Sequence, residues 1–149
     1  VLGVNLTPIS ISYELDPLDI SKGISWDGSE ELSYEEKNRK DLNEMVKGIK
    51  NQKGRVHLHI CNSIERNFNT LEELAGLIDD EIISNYKLWP SNYIAAHALG
   101  IITKESSDLE NKEISFLKRF KGVDSEIRKK VLKMYAAPLV NSKQRAQTI

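Results

Sequence analysis

The sequence predicts an α/β fold in which residues 1–61 supply a few strands of a sheet and residues 69–140 a mostly helical region. Three observations predict it. Residues 55–61 (RVHLHIC) alternate apolar and polar positions without a break, the period-2 signature of a strand. A helix with a capping box stands between that strand and an earlier apolar one. Beyond Cys61 the apolar residues recur at helical spacing.

The first strand is expected over Val4–Ser12. It has Val4, Leu6, Pro8, Ser10 and Ser12 on one side and Asn5, Thr7, Ile9 and Ile11 on the other. Pro8 removes a ladder donor, so the strand is expected at an edge or with an irregularity there. Tyr13-Glu14-Leu15-Asp16-Pro17 leaves the sheet into a turn, because the residue before proline is pushed out of the helical region. Glycines, serines and Asp27 make residues 18–32 a loop.

Ser33-Tyr34-Glu35-Glu36 is a capping box and opens a helix running to about Ile49. Leu42, Met45, Val46 and Ile49 form its expected buried stripe. Gly54 then leads into the second strand, with Val56, Leu58 and Ile60 on one face and His57, His59 and Cys61 on the other. Strand, helix and strand in this order imply a right-handed crossover between parallel strands. The helices that follow start at Thr70-Leu71-Glu72-Glu73 (ending near Tyr86), at about Ser91 (ending at Gly100), at Ser107-Asp108-Leu109-Glu110 (closed by Gly122), and at Asp124 or Ser125, the last broken by Pro138.

Composition narrows the classes. A chain of 149 residues with 12 glycines and prolines and 40% hydrophobic residues is one ordinary packed unit, neither low-complexity nor disordered. One cysteine gives no internal disulfide and reads as a reducing compartment or as indifference to redox state. No apolar run approaches the ~18–20 residues of a membrane-spanning helix. The opening Val1-Leu2-Gly3-Val4, without an initiator methionine or a basic leader, fits a processed product or a fragment. The net charge of −1 conceals 11 basic and 19 acidic residues over 1–111 against 10 and 3 over 112–149. The basic end is either a solvated helix face or, through Arg128, Lys129, Lys130 and Lys133, an attraction to an anionic membrane surface. Few aromatics interleave these cations, so nucleic acid is not an expected partner.

Chemistry-bearing patterns are sparse. His57, His59 and Cys61 share a face but lie along a line of ~13–14 Å, too extended to converge on one metal ion. No metal and no cofactor is expected. A Cys61–His59 nucleophile pair would lack an oxyanion hole. Asp79-Asp80-Glu81 fan around a helix and form a solvated face. The segment Asn85–Ala95 (NYKLWPSNYIA) places Tyr86, Trp89 and Tyr93 around Pro90 at a corner between helices, a packing feature on physical grounds.

Four segments in order, Leu6–Pro17, Gly54–Ile60, Asn85–Ala95 and Met134–Leu139 (MYAAPL), together resemble the C-terminal half of bacterial glycerolipid acyltransferases. These are the large Bacteroidetes-type relatives of 1-acyl-sn-glycerol-3-phosphate acyltransferase, and the resemblance covers most of the chain. It implies an α/β protein that moves a fatty acyl group from acyl-CoA or an acyl-carrier protein to the hydroxyl of a lysophospholipid-like acceptor. It also implies a peripheral position on the cytoplasmic side of the bacterial inner membrane. Thr7, Pro8, Ile9 and Ser10 correspond to the family's apolar proline strand and would border the substrate pocket. The family's working pair is a histidine and an aspartate separated by four residues, with a later Glu-Gly-x-Arg block for the acceptor phosphate. Neither occurs here: Asn62, Ile64 and Ile102 stand where His57, His59 and His97 would need an aspartate. The expectation is a C-terminal portion that carries no catalytic residue and is inactive alone. The alternative is a noncatalytic α/β protein-interaction module using the Tyr86–Tyr93 corner as its partner patch.

Overall fold

The computed structural model describes residues 6–26, 32–65, 68–102 and 110–146. In chain order the elements are β1 (Ile9–Tyr13), α1 (Asp19–Ile24), α2 (Tyr34–Lys50), β2 (Val56–Ile60), α3 (Leu71–Ser84), α4 (Pro90–Ala98), α5 (Glu110–Lys118) and α6 (Ser125–Ala146). The fold is α/β with a small sheet and mostly helical content. The expected strand residues Val4 and Asn5 and the expected helix start at Ser107–Leu109 lie outside the described residues.

The two strands are antiparallel, not parallel, with Ile9 opposite Ile60, Ile11 opposite Leu58 and Tyr13 opposite Val56. A parallel pair would require the connection to carry the chain back along the sheet. Here it leaves and returns at the same end. The Glu14 and Leu15 amides donate to the Arg55 and Lys53 carbonyls (2.9 and 3.0 Å), and Asn51 Nδ2 donates to the Pro17 carbonyl. The space between is filled by a helical excursion, because residues 19–24, expected as loop, form α1. Gly54 makes the turn into β2 at φ +62°, where a Cβ would lie 3.0 Å from the Glu14 side chain.

Helix α2 begins at the expected capping box, with the Ser33 side chain accepting from the Glu36 amide and Glu36 accepting from the Ser33 amide. Its expected buried stripe is not buried. Leu42, Met45, Val46 and Ile49 are 42–72% exposed, and α2 packs extensively against no other described element. The side that faces α1 is polar: Lys40 donates to Ser25 Oγ at 2.8 Å.

The core lies elsewhere. Helices α4 and α6 form the most extensive helix pair, with α5 and α1 against them. Ile94, Ala95, Phe116, Phe120, Val131, Tyr135 and Leu139 are buried there, and Phe116 meets Phe120 and Tyr135 edge-on at ring-centroid distances of 5.3 and 4.9 Å. α1 approaches α6 so closely at Gly23 that a Cβ would stand 2.6 Å from Val131 Cγ2. Asp124 caps α6 by accepting from the amides of Glu126 and Ile127. The helix does not break at Pro138, which lies inside it. Proline costs about 3 kcal/mol in a helix interior because it withholds an N–H from the carbonyl four residues back. The burial of Tyr135, Ala136 and Leu139 offsets that loss.

Candidate functional site

The sheet has a polar inner face and an apolar outer one. Ser10 and Ser12 are buried, opposite His59 and His57, with α3 over them; Ser10 Oγ donates to the Ile82 carbonyl at 3.1 Å and Cys61 Sγ lies 3.7 Å from the Glu81 carbonyl. Helix α3 packs on the side of β1 that carries Ser10 and Ser12, and His57 and His59 beside them are half-buried. The imidazoles of His57 and His59 stack at 6.4 Å, and among the described residues no three metal-ligating side chains converge. On the other side, Ile9, Ile11, Tyr13, Val56, Leu58 and Ile60 form three cross-strand pairs that are 38–67% exposed.

Thr7, Pro8, Ile9 and Ser10 do not converge on one site. Thr7 Oγ1 meets Ser63 Oγ at 2.8 Å, the Pro8 carbonyl accepts from the Cys61 amide, Ile9 lies on the open apolar face and Ser10 is fixed beneath it. Of the basic set, Lys129 and Lys133 are exposed on α6 while Arg128 and Lys130 are half-buried. Consecutive helical residues fan by about 100° each, so the four do not share one face.

The aromatic corner is a structural joint. Trp89 is buried, with the Arg55 guanidinium and the Lys87 ammonium 4.8 and 4.9 Å from its ring. Pro90 takes the first helical position of α4, where its missing N–H costs nothing. Asn92 then accepts from the Trp89 amide (2.6 Å) and donates to the Tyr135 carbonyl (2.8 Å), while Ser91 Oγ donates to the Glu14 carbonyl (2.6 Å). The corner thus ties α4 to both α6 and the end of β1, and its tryptophan ring is not available to a partner.

A buried polar network underlies the joint. Asp19, in the first turn of α1, accepts from Arg119 (2.8 Å) and from the Tyr135 hydroxyl (3.0 Å), and that hydroxyl accepts from the Asp16 amide (2.8 Å). Burial, followed by the Asp19 charge, pushes the Tyr135 phenol far above its ordinary value, so it stays protonated and donates. Burial opposes the Arg119 charge, but the hydrogen bond and charge of Asp19 outweigh it and the guanidinium is raised. The sequence reading missed Asp19 and Arg119 altogether. They are 100 residues apart, and Asp19 sits in a stretch whose composition reads as loop.

Above this network opens a cavity of about 450 Å³, framed by Tyr13, Trp26, Tyr86 and Tyr135, with Met134 and Pro138 along one wall. At its rim Lys22 Nζ pairs with Asp16 Oδ2 at 2.6 Å, and Asp16 Oδ1 accepts from the Leu18 amide at 2.8 Å. Burial and the neighbouring Asp16 carboxylate both raise the Tyr86 phenol. The result is a concave, ring-lined site with one charge of each sign at its mouth.

Comparison with known proteins finds no matching family model, no similar curated protein and no similar solved structure. No described helix is long and apolar enough to cross a membrane.

Proposed function

We propose that this chain serves as the noncatalytic C-terminal portion of a glycerolipid acyltransferase, which passes a fatty acyl group from a thioester carrier to a lysophospholipid-like hydroxyl. Its working histidine–aspartate pair and its phosphate-binding arginine block are supplied by residues outside this sequence. The observation that supports the reading best is the outer face of the sheet. Three stacked apolar cross-strand pairs facing water are unfavourable at roughly 25 cal/mol per Å² of apolar surface, and they suit a sheet whose other layer is provided by further polypeptide. The acyl donor, the acceptor and the peripheral place at the inner membrane come with the resemblance and belong to the same proposal.

The test has two parts. The reading frame ahead of Val1 is read for His-x-x-x-x-Asp followed by Glu-Gly-x-Arg, and the extended protein and the 149-residue chain are assayed with an acyl thioester and lysophosphatidate. The expected result is turnover by the extended protein and none by the chain alone. Turnover by the chain alone, or the absence of both blocks upstream, overturns the reading.

A further inference from the structure

We propose that the cavity between Tyr13, Trp26 and Tyr86 binds a zwitterionic phospho-amine, a quaternary or primary ammonium joined to a phosphate as in phosphocholine. The proposal goes beyond acyl transfer and does not depend on it. Three features of the site converge on that chemistry. Four aromatic residues, Tyr13, Trp26, Tyr86 and Tyr135, line the cavity, and aromatic rings attract an organic cation through the ring quadrupole. The Asp16 carboxylate at the rim supplies the counter-charge, and the Tyr86 phenol, raised by burial and by that carboxylate, is a further donor in the lining. The third feature is Lys22, whose ammonium is half exposed and paired, among the described residues, with Asp16.

An ion pair open to water contributes little to stability, so little is lost when it opens. A ligand that carries both charges replaces it twice over: its ammonium takes Asp16 and the rings, and its phosphate takes the released Lys22. A simple cation could use only the first half and would leave Lys22 without its partner. A simple anion could use only the second. At about 450 Å³ the cavity accommodates a headgroup of this size without rearrangement of the buried floor formed by Asn92 and Tyr135.

The experiment is calorimetric titration of the 149-residue chain with phosphocholine, choline and inorganic phosphate separately. Phosphocholine is expected to bind saturably and several-fold tighter than choline, with phosphate alone not measurable. Trp26→Ala is expected to weaken phosphocholine about tenfold. Lys22→Gln is expected to lower phosphocholine to the level of choline while leaving choline unchanged. Both side chains are at least half exposed, so both variants should fold, which circular dichroism verifies. Phosphatidylcholine vesicles added as competitor distinguish the source: competition marks a lipid headgroup and its absence a soluble phospho-amine, and either outcome upholds the site. The proposal is overturned by no saturable heat with phosphocholine, by choline binding as tightly as phosphocholine, or by unchanged affinity in both variants.

Discussion

Two regions of this protein obey opposite rules. In the helical region around α4, α5 and α6, apolar residues at helical spacing point inward and form a core built on Phe116, Phe120, Val131 and Tyr135. In the region of β1, α2 and β2, the apolar positions are equally regular but point outward, while serines, histidines and lysines face the protein. The difference teaches that periodicity identifies an element and its two faces, whereas the side that is buried depends on what else is present to cover it. The first region buries its own apolar stripe among the described residues. The second has the pattern of an element waiting for another layer.

Truncations separate the two regions most sharply. Phe120→Ala removes a buried ring and is expected to cost about 3–5 kcal/mol in denaturant unfolding. Leu58→Ala, of equal hydrophobic character on the open sheet face, should cost well under about 1 kcal/mol. A large loss at Leu58 would show that its face is covered within the chain. Next come the contacts that join α1 to the helical core. Gly23→Ala drives a methyl into Val131 and the Ile127 carbonyl, and an overpacked core of this kind loses about 1–3 kcal/mol. Tyr135→Phe leaves the Asp16 amide and one Asp19 oxygen without the hydroxyl they share, at a cost of about 1–3 kcal/mol measured in the same unfolding series. Equal stability for Tyr135→Phe would mean that the network is ornamental to the fold.

A double change on the sheet face, Ile11→Thr with Leu58→Thr, leaves a β-branched residue at both positions and removes apolar surface. It should leave the unfolding midpoint nearly unchanged and reduce self-association, as followed by sedimentation. An unchanged sedimentation profile in a chain that does self-associate would move the sticky surface elsewhere, to the α2 stripe.

The smallest effect concerns pH. The side-chain hydrogen bond from Arg55 holds the Glu14 carboxyl below its ordinary value despite partial burial. A depressed carboxyl contributes stability that is fully present above the unfolded-state value and lost as pH falls through the folded one. Acidification from neutral pH should therefore remove this contribution, and Glu14→Gln should flatten that part of the stability–pH curve. An identical curve for the variant would show that the ion pair adds nothing to the fold.

Much of the helical architecture was legible because local chemistry dictates it. Ser33 with Glu36 and Thr70 with Glu73 cap their helices as their spacing requires, and Gly100 and Gly122 take the positive φ that ends a helix. The alternation of residues 56–60 likewise forecast the strand and its two faces. What local chemistry does not encode was missed. Strand direction depends on where the intervening chain returns, and α1 hid within a glycine- and serine-rich stretch. Pro138 is tolerated because tertiary burial outweighs its helix penalty. The Asp19–Tyr135–Arg119 network joins residues a hundred or more positions apart, and a single sequence carries no trace of such a pairing. The aromatic corner was legible as packing, and its buried tryptophan explains why it is a joint.

Thiol labelling of Leu58→Cys tests most directly whether the outer sheet face is a contact surface for further polypeptide. Cys61, buried three residues along, serves as the internal protected control. In the 149-residue chain as a monomer the new thiol should react rapidly and Cys61 slowly. In a protein extended upstream of Val1, position 58 should become protected as well if the proposed further layer covers this face. Protection in the monomeric chain, or equally rapid reaction in the extended protein, would contradict the assignment of this face to an interface.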